Sequence, residues 1–151
     1  MKLIAHRGLM FGPDKTNENA PHQIDLALSK GLNAEVDFRI VNGKFFLGHD
    51  NPTYEIAPQY LYKEGLWIHA KNWEALEWLS DTQLHYFWHE EDSYTLTSYG
   101  VVWAYPNKPL MARSVCVMPE KQGISLDYAF KLPIYGICSD YVGAIDYFRK
   151  R

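Results

Sequence analysis

Apolar residues along this chain fall into short runs rather than long amphipathic stripes, and most of the runs end in charge. Leu3-Ile4-Ala5 leads into His6-Arg7, and Leu66-Trp67-Ile68 leads into His69-Ala70-Lys71. Runs this short, bounded by Gly, Pro or Asn, predict strands. Seven are expected: Met1 to Arg7, Asn33 to Asp37, Leu66 to Lys71, Leu84 to Trp88, Val101 to Tyr105, Ser114 to Met118, and Gly136 to Asp140. Between the first two, Ile24, Ala27 and Leu28 mark one helical face, with Asn19 as N-cap, Pro21 in the first turn and Gly31 just past the end. A second helix is expected from Trp73 to Leu79, capped by Asn72. Shorter ones are expected at Ser125 to Phe130 and Ala144 to Arg149. The stretch from Asn51 to Gly65 reads as irregular, with a helical turn near Tyr60.

One segment departs from this alternation. Phe38-Arg39-Ile40-Val41 and Lys44-Phe45-Phe46-Leu47 flank Asn42-Gly43, a two-residue hairpin signal. A turn that short joins only antiparallel strands, so the hairpin cannot supply the next parallel strand. Counting outward from the turn puts residue 37 opposite residue 48 and brings His49 back beside Asp37. The hairpin therefore reads as an excursion above the sheet.

Short strands alternating with short helices predict a parallel α/β fold. Seven parallel strands in 151 residues lead to a small (β/α) TIM-type barrel, with a strand missing and its helices shortened or replaced by loops in the second half. An open doubly wound sheet is the alternative, although no Gly-x-Gly-x-x-Gly or P-loop follows a strand. A single domain is expected over 1–151, without linker, repeat or low-complexity segment.

Composition narrows the picture in a few respects. With 47% apolar and 22% charged residues, the chain is of the soluble globular class. A net charge of −3 argues against a general nucleic-acid binder. No apolar run is long enough to span a bilayer, and Met1-Lys2 leads straight into a strand, so a cytoplasmic location is expected. Cys116 and Cys138 each sit in an apolar run and read as buried, reduced thiols. The terminal Arg149-Lys150-Arg151 reads as a solvated end.

Candidate chemistry collects at strand ends, where parallel barrels carry their reactive groups. Glu35 and Asp37, two apart on a strand, face the same way. Burying both needs a cation, and a hard divalent ion such as Mg²⁺ or Ca²⁺ suits their oxygens. The alternative is a solvated edge with two acids. His69 and Lys71 repeat the spacing on the next strand. His69 is a candidate third ligand, through nitrogen, or a buried hydrogen-bonded histidine; Lys71 is a candidate phosphate contact. His6 and His49 are the acid–base candidates, and Arg7 offers a planar fork for phosphate oxygens. His85, at the start of a strand, reads as structural and His22 as solvated. The aromatic runs Trp88-His89-Glu90 and Trp103-Ala104-Tyr105 read either as a wall for the substrate's alcohol group or as packing.

Taken in order, His6-Arg7-Gly8, Glu18-Asn19-Ala20, Glu35-x-Asp37 and His49-Asp50 resemble the motifs of the glycerophosphodiester phosphodiesterases, in the wider superfamily with phosphatidylinositol-specific phospholipases C. Gly136-Ile137-Cys138-Ser139-Asp140 resembles that family's closing strand. The resemblance implies a (β/α) barrel with a metal at its mouth. His6 and His49 would be the catalytic pair, Arg7 a phosphate contact, Glu35 and Asp37 metal ligands, and Glu18 a residue that orders the site. Where the family has a third carboxylate, this chain has His69, and a nitrogen ligand suits Mn²⁺ or Zn²⁺ better than Mg²⁺ or Ca²⁺. The function so implied is hydrolysis of a small phosphodiester. A phosphate-binding barrel without turnover is the alternative, and a glycosidase using the two acids fits their geometry poorly.

Overall fold

In the computed structural model, which describes residues 1–149, the seven expected strands are all present and run parallel to one another. They are β1 (Lys2–His6), β2 (Asn33–Val41), β5 (Leu66–Ala70), β6 (Tyr86–Trp88), β8 (Val102–Ala104), β9 (Ser114–Val117) and β10 (Gly136–Ser139). Side by side they run β6-β5-β2-β1-β10-β9-β8. Three antiparallel strands join them: β3 (Lys44–Leu47) on β2, β4 (Tyr54–Ile56) on β3, and β7 (Tyr94–Leu96) on β8. Among the described residues no helix is long and apolar enough to cross a membrane. Lys150 and Arg151 of the terminal basic run lie outside the described residues.

The expected small (β/α) TIM-type barrel is not what forms. The sheet is mixed and curls into a half-barrel, with four short α-helices among the described residues. These are α1 (Pro21–Ser29), α2 (Trp73–Ser80), α3 (Leu126–Lys131) and α4 (Val142–Arg149). The reason lies in the connections of the second half. β6 reaches β8 through the antiparallel β7 and a tight turn closed by Gly100 N–H to the Thr97 carbonyl at 2.8 Å. β8 reaches β9 through a loop holding Pro106, Pro109 and a left-handed Asn107 (φ 66°), a run that no helix tolerates. The irregular segment after residue 50 likewise holds β4 and a 3₁₀ turn (Pro58–Tyr62).

Strand alternation sorts the core into layers. On β2, Ala34, Val36 and Phe38 face outward and pack with Ile68, Ala75 and Leu79, while Glu35 and Asp37 face inward. On β1, Leu3 and Ala5 pack outward with Ala27 and Ile145, and Ile4 and His6 face inward. The concave side is filled by Ile4, Trp67, Phe87, Trp103, Val115 and Cys138. Charged groups occupy the next inward positions toward the strand ends. Cys116 and Cys138 are buried and free, as the sequence indicates.

The hairpin register is the one counted from the turn, with Phe38 opposite Leu47 and Val41 opposite Lys44. Gly48 N–H then donates to the Asp37 carbonyl at 3.0 Å, so the excursion does deliver His49 to the acids.

Candidate functional site

The C-terminal ends of β1, β2, β5, β6 and β8 surround a cavity of about 230 Å³. His6, Arg7, Glu35, Asp37, His49, His69 and Lys71 all line it, together with Phe87, His89, Glu90, Trp103 and Tyr105. Seven of the eight site residues expected from the sequence therefore share one space. The eighth, Glu18, reaches it through Arg7, whose Nη1 donates to Glu18 Oε2 at 2.8 Å.

Glu35 and Asp37 are buried, and with His69 they place one ligand atom each within 4.8 Å of one another. His69 Nδ1 lies 3.3 Å from Asp37 Oδ1 and 3.8 Å from Glu35 Oε1. Its ring is fixed from behind: it stacks on Phe87 at 4.7 Å, and Nε2 reaches the His89 carbonyl at 3.2 Å. The electrostatics of the pair are divided. Burial and the neighbouring Asp37 charge push the Glu35 carboxyl up to about 7. Burial works the same way on Asp37, but the hydrogen bond and charge of His69, with Arg7 and Asn19, outweigh it and hold Asp37 below the usual carboxylate range. Two carboxylates that cannot comfortably ionise together, facing an imidazole nitrogen, are a donor set able to hold a metal ion.

Arg7 sits in the left-handed region (φ 53°), a conformation costly for a long side chain and more common at functional sites. The bend turns its backbone N–H onto Glu35 Oε2 (3.1 Å) and its Nε toward Asp37 Oδ2 (3.3 Å). That Nε is buried and, among the described residues, makes no hydrogen bond; its approach to Asp37 is an ion pair.

The two candidate acid–base histidines have opposite surroundings. His6 Nδ1 bonds Asp140 Oδ1 at 2.8 Å, and Nε2 points past Glu35 Oε2 at 3.9 Å. Burial opposes its charged form, yet the Asp140 hydrogen bond and the Glu35 charge prevail and raise its pKa. His49 is more open; Nδ1 bonds Asp50 Oδ1 at 2.9 Å, and partial burial lowers its pKa. Its backbone is clamped by Arg39, whose guanidinium donates to the carbonyls of Gly48 (3.0 Å) and His49. Gly48 is required by close approach: a Cβ there would lie 1.8 Å from the Asn51 carbonyl oxygen.

Sequence reasoning misplaced one residue and missed two roles. Asn19 caps no helix. Ala20 holds the N-cap position, and fully buried Asn19 (φ 62°) instead bonds Asp37 twice. Its place beside Glu18 in the motif was the available signal. In the sequence Asp140 reads only as a strand end, because its partnership with His6 spans 134 positions and leaves no local trace. Behind it, Ser139 Oγ donates to Glu120, whose Oε1 also accepts from Asp140 N–H, so an unrecognised acid anchors the strand end. Of the aromatic wall, Trp103, Tyr105 and His89 face the cavity, His89 stacked on Tyr105 at 3.5 Å. Trp88 faces outward into the core. His85 is structural, bonded to Thr97 Oγ1 at 2.8 Å, and His22 is exposed beside Asn17.

Comparison with protein-family models, with curated proteins and with solved structures finds no match to this chain.

Proposed function

We propose that the protein is a metal-dependent phosphodiesterase acting on a small phosphodiester such as a glycerophosphodiester. The observation that carries the reading is the meeting of two histidines in opposite electrostatic settings, an arginine paired with Asp37 and a Glu–Asp–His cluster in one cavity. The motif resemblance to the glycerophosphodiester phosphodiesterases points the same way.

Glu35, Asp37 and His69 would hold the ion, and the mixed oxygen and nitrogen set favours Mn²⁺, Fe²⁺ or Zn²⁺ over Mg²⁺ or Ca²⁺. When bound, such an ion polarises a phosphoryl oxygen. Arg7 and Lys71 add positive charge to the same wall, where charge on the phosphoryl oxygens grows in the transition state. His49, with its pKa lowered, serves as the base that takes a proton from the attacking hydroxyl. His6, whose charged form the Asp140 hydrogen bond favours, donates from Nε2 to the departing alkoxide. Glu18 keeps Arg7 turned into the cavity.

A second reading has its own support. His69 Nδ1 already lies 3.3 Å from Asp37 Oδ1, so the imidazole can engage the acid with no metal between them. The cavity would then bind a phosphodiester and release it unchanged.

The two readings separate in one assay. Glycerophosphodiesters are incubated with the protein and Mn²⁺, Zn²⁺, Mg²⁺ or Ca²⁺, and released alcohol is measured alongside binding. Turnover that is lost on chelation, in His6→Ala and in His49→Ala supports the phosphodiesterase. Full turnover in both variants rules out this mechanism, and binding without turnover under every metal leaves the second reading.

A further inference from the structure

The interior beneath the cavity is a file of rings that crosses the molecule. Trp103 lines the cavity itself. Its ring is 5.6 Å from Trp67, Trp67 is 4.0 Å from His85, and His85 stacks on Tyr99 at 4.2 Å with the planes 7° apart. Trp103 and Trp67 are each 2% exposed, whereas Tyr99 is 57% exposed. Trp67, His85 and Tyr99 also line a second cavity of about 400 Å³. That cavity is bordered by Lys2, Asn33 and Leu66, the first residues of β1, β2 and β5, so the file ends on the face opposite the metal cluster.

Indole and phenol are among the most easily oxidised side chains, and an electron passes readily between aromatic rings at these separations. Trp67 keeps its indole N–H on Asn33 Oδ1 at 2.9 Å, so its proton is held while a hole passes through. Tyr99 donates its phenolic O–H to the Gln83 carbonyl at 2.8 Å, but its 57% exposure brings water to the same group, so an oxidised Tyr99 passes its proton to solvent and traps the hole. Two other phenols compete: Tyr105 on the cavity wall, where a trapped hole would stay on the metal side, and Tyr135, edge-on to Trp67 at 6.1 Å. Its ring lies 5.8 Å from the Arg113 guanidinium, whose charge opposes a hole there.

We propose that Trp103, Trp67, His85 and Tyr99 form a relay that draws one-electron oxidation away from the Glu35–Asp37–His69 cluster and delivers it to the far surface. The proposal rests on the cluster holding a redox-active ion, which its nitrogen ligand permits. With Fe²⁺ held by the cluster and hydrogen peroxide as the oxidant, one electron from the ion would break the O–O bond to give hydroxide and a hydroxyl radical. The radical takes an electron from Trp103 and leaves as a second hydroxide. The hole moves through Trp67 to Tyr99, which becomes a neutral phenoxyl as its proton passes to water. The sum is one Fe²⁺, one peroxide and one phenol giving Fe³⁺, two hydroxides, a phenoxyl and a proton. His69, which lies against Phe87 rather than an oxidisable ring, is spared.

The test uses a hole source that does not depend on the native metal. In His49→Cys the new thiol is labelled with a ruthenium tris-bipyridine, since Cys116 and Cys138 are buried. Flash–quench oxidation of the label is followed by transient absorption and electron paramagnetic resonance. With Tyr105→Phe present throughout, so that no phenol lines the labelled cavity, a phenoxyl signal is expected, lost in Trp67→Phe and replaced by an indole radical in Tyr99→Phe. An unchanged phenoxyl in either variant overturns the relay, and the surface change Tyr99→Phe decides the matter should Trp67→Phe not fold. In parallel, unlabelled protein is given Fe²⁺ and one equivalent of peroxide, and oxidised peptides are mapped with Glu35→Gln as control. Transfer from the label without iron-dependent oxidation at Tyr99 faults the metal site. No transfer from the label faults the relay.

Discussion

Asn19 and Asp37 grip each other twice: Asn19 Nδ2 donates to Asp37 Oδ2 at 2.9 Å, and Asp37 N–H donates to Asn19 Oδ1 at 2.9 Å. The pairing fixes both the backbone and the carboxylate of Asp37 and leaves Oδ1 facing His69. A side chain that must donate with one atom and accept with another, at a left-handed position, is met by asparagine. Asn19→Ala strands a buried acceptor and a buried N–H and should cost about 2–4 kcal/mol. Urea titration measures that loss, and Mn²⁺ calorimetry should show weakened binding in whatever fraction remains folded.

Gly48→Ala attacks the delivery of His49. A Cβ would collide with the Asn51 backbone, so the loop must shift while the core below stays packed. Turnover should fall by about tenfold or more, in line with the sensitivity of catalysis to small misplacements. The thermal midpoint should move by only a few degrees. A variant with normal turnover and a collapsed midpoint contradicts this division.

The pH profile follows from the two histidines. The base must be neutral, so activity rises as pH climbs through the lowered His49 pKa. The acid must be protonated, so activity falls as pH climbs through the raised His6 pKa. The result is a bell that includes about pH 6.5, the ordinary histidine value. Asp140→Asn removes the carboxylate that favours imidazolium and should move the alkaline limb to lower pH while leaving the acid limb in place. An alkaline limb unmoved by Asp140→Asn would assign it to another group.

Without metal, the Glu35 carboxyl is held above its unfolded value, at about 7. The folded state then binds more protons than the unfolded state between about pH 4.5 and 7, so stability falls as pH rises through that window. Glu35→Gln keeps an acceptor for the Arg7 N–H and removes the repulsion from Asp37. At pH 8 and in chelator it should stabilise the protein by about 1–3 kcal/mol. Added Mn²⁺ should raise the melting point of the parent but not of the variant. Melting curves with and without the ion check both halves.

His85 makes the opposite contribution. Burial lowers its pKa to about 4, so the folded state resists protonation, and stability present above about pH 6.5 is lost as pH falls toward 4. His85→Phe cannot titrate and should flatten the acid-side decline. Denaturation midpoints collected between pH 4 and pH 7 should converge for the two proteins at the acid end.

The amino-acid sequence alone settled whatever depends on spacing within a run. Alternation put Glu35 and Asp37 on one face, and Asn42-Gly43 set the hairpin register that returns residue 48 to residue 37. The seven parallel strands were legible for the same reason, because each is a local burst of apolar residues, ended by charge or by proline. Other features needed chain segments to meet. His6 finds Asp140 across most of the chain, Asn19 leaves its helix for Asp37, and Glu120 braces the strand that carries Asp140. The curvature and the antiparallel β7 also escaped the pattern, since a strand's direction depends on its neighbours and on whether a connection is long enough to hold a helix. Periodicity is a property of consecutive residues, whereas partnership and sheet closure are properties of space, and those only the tertiary structure decided.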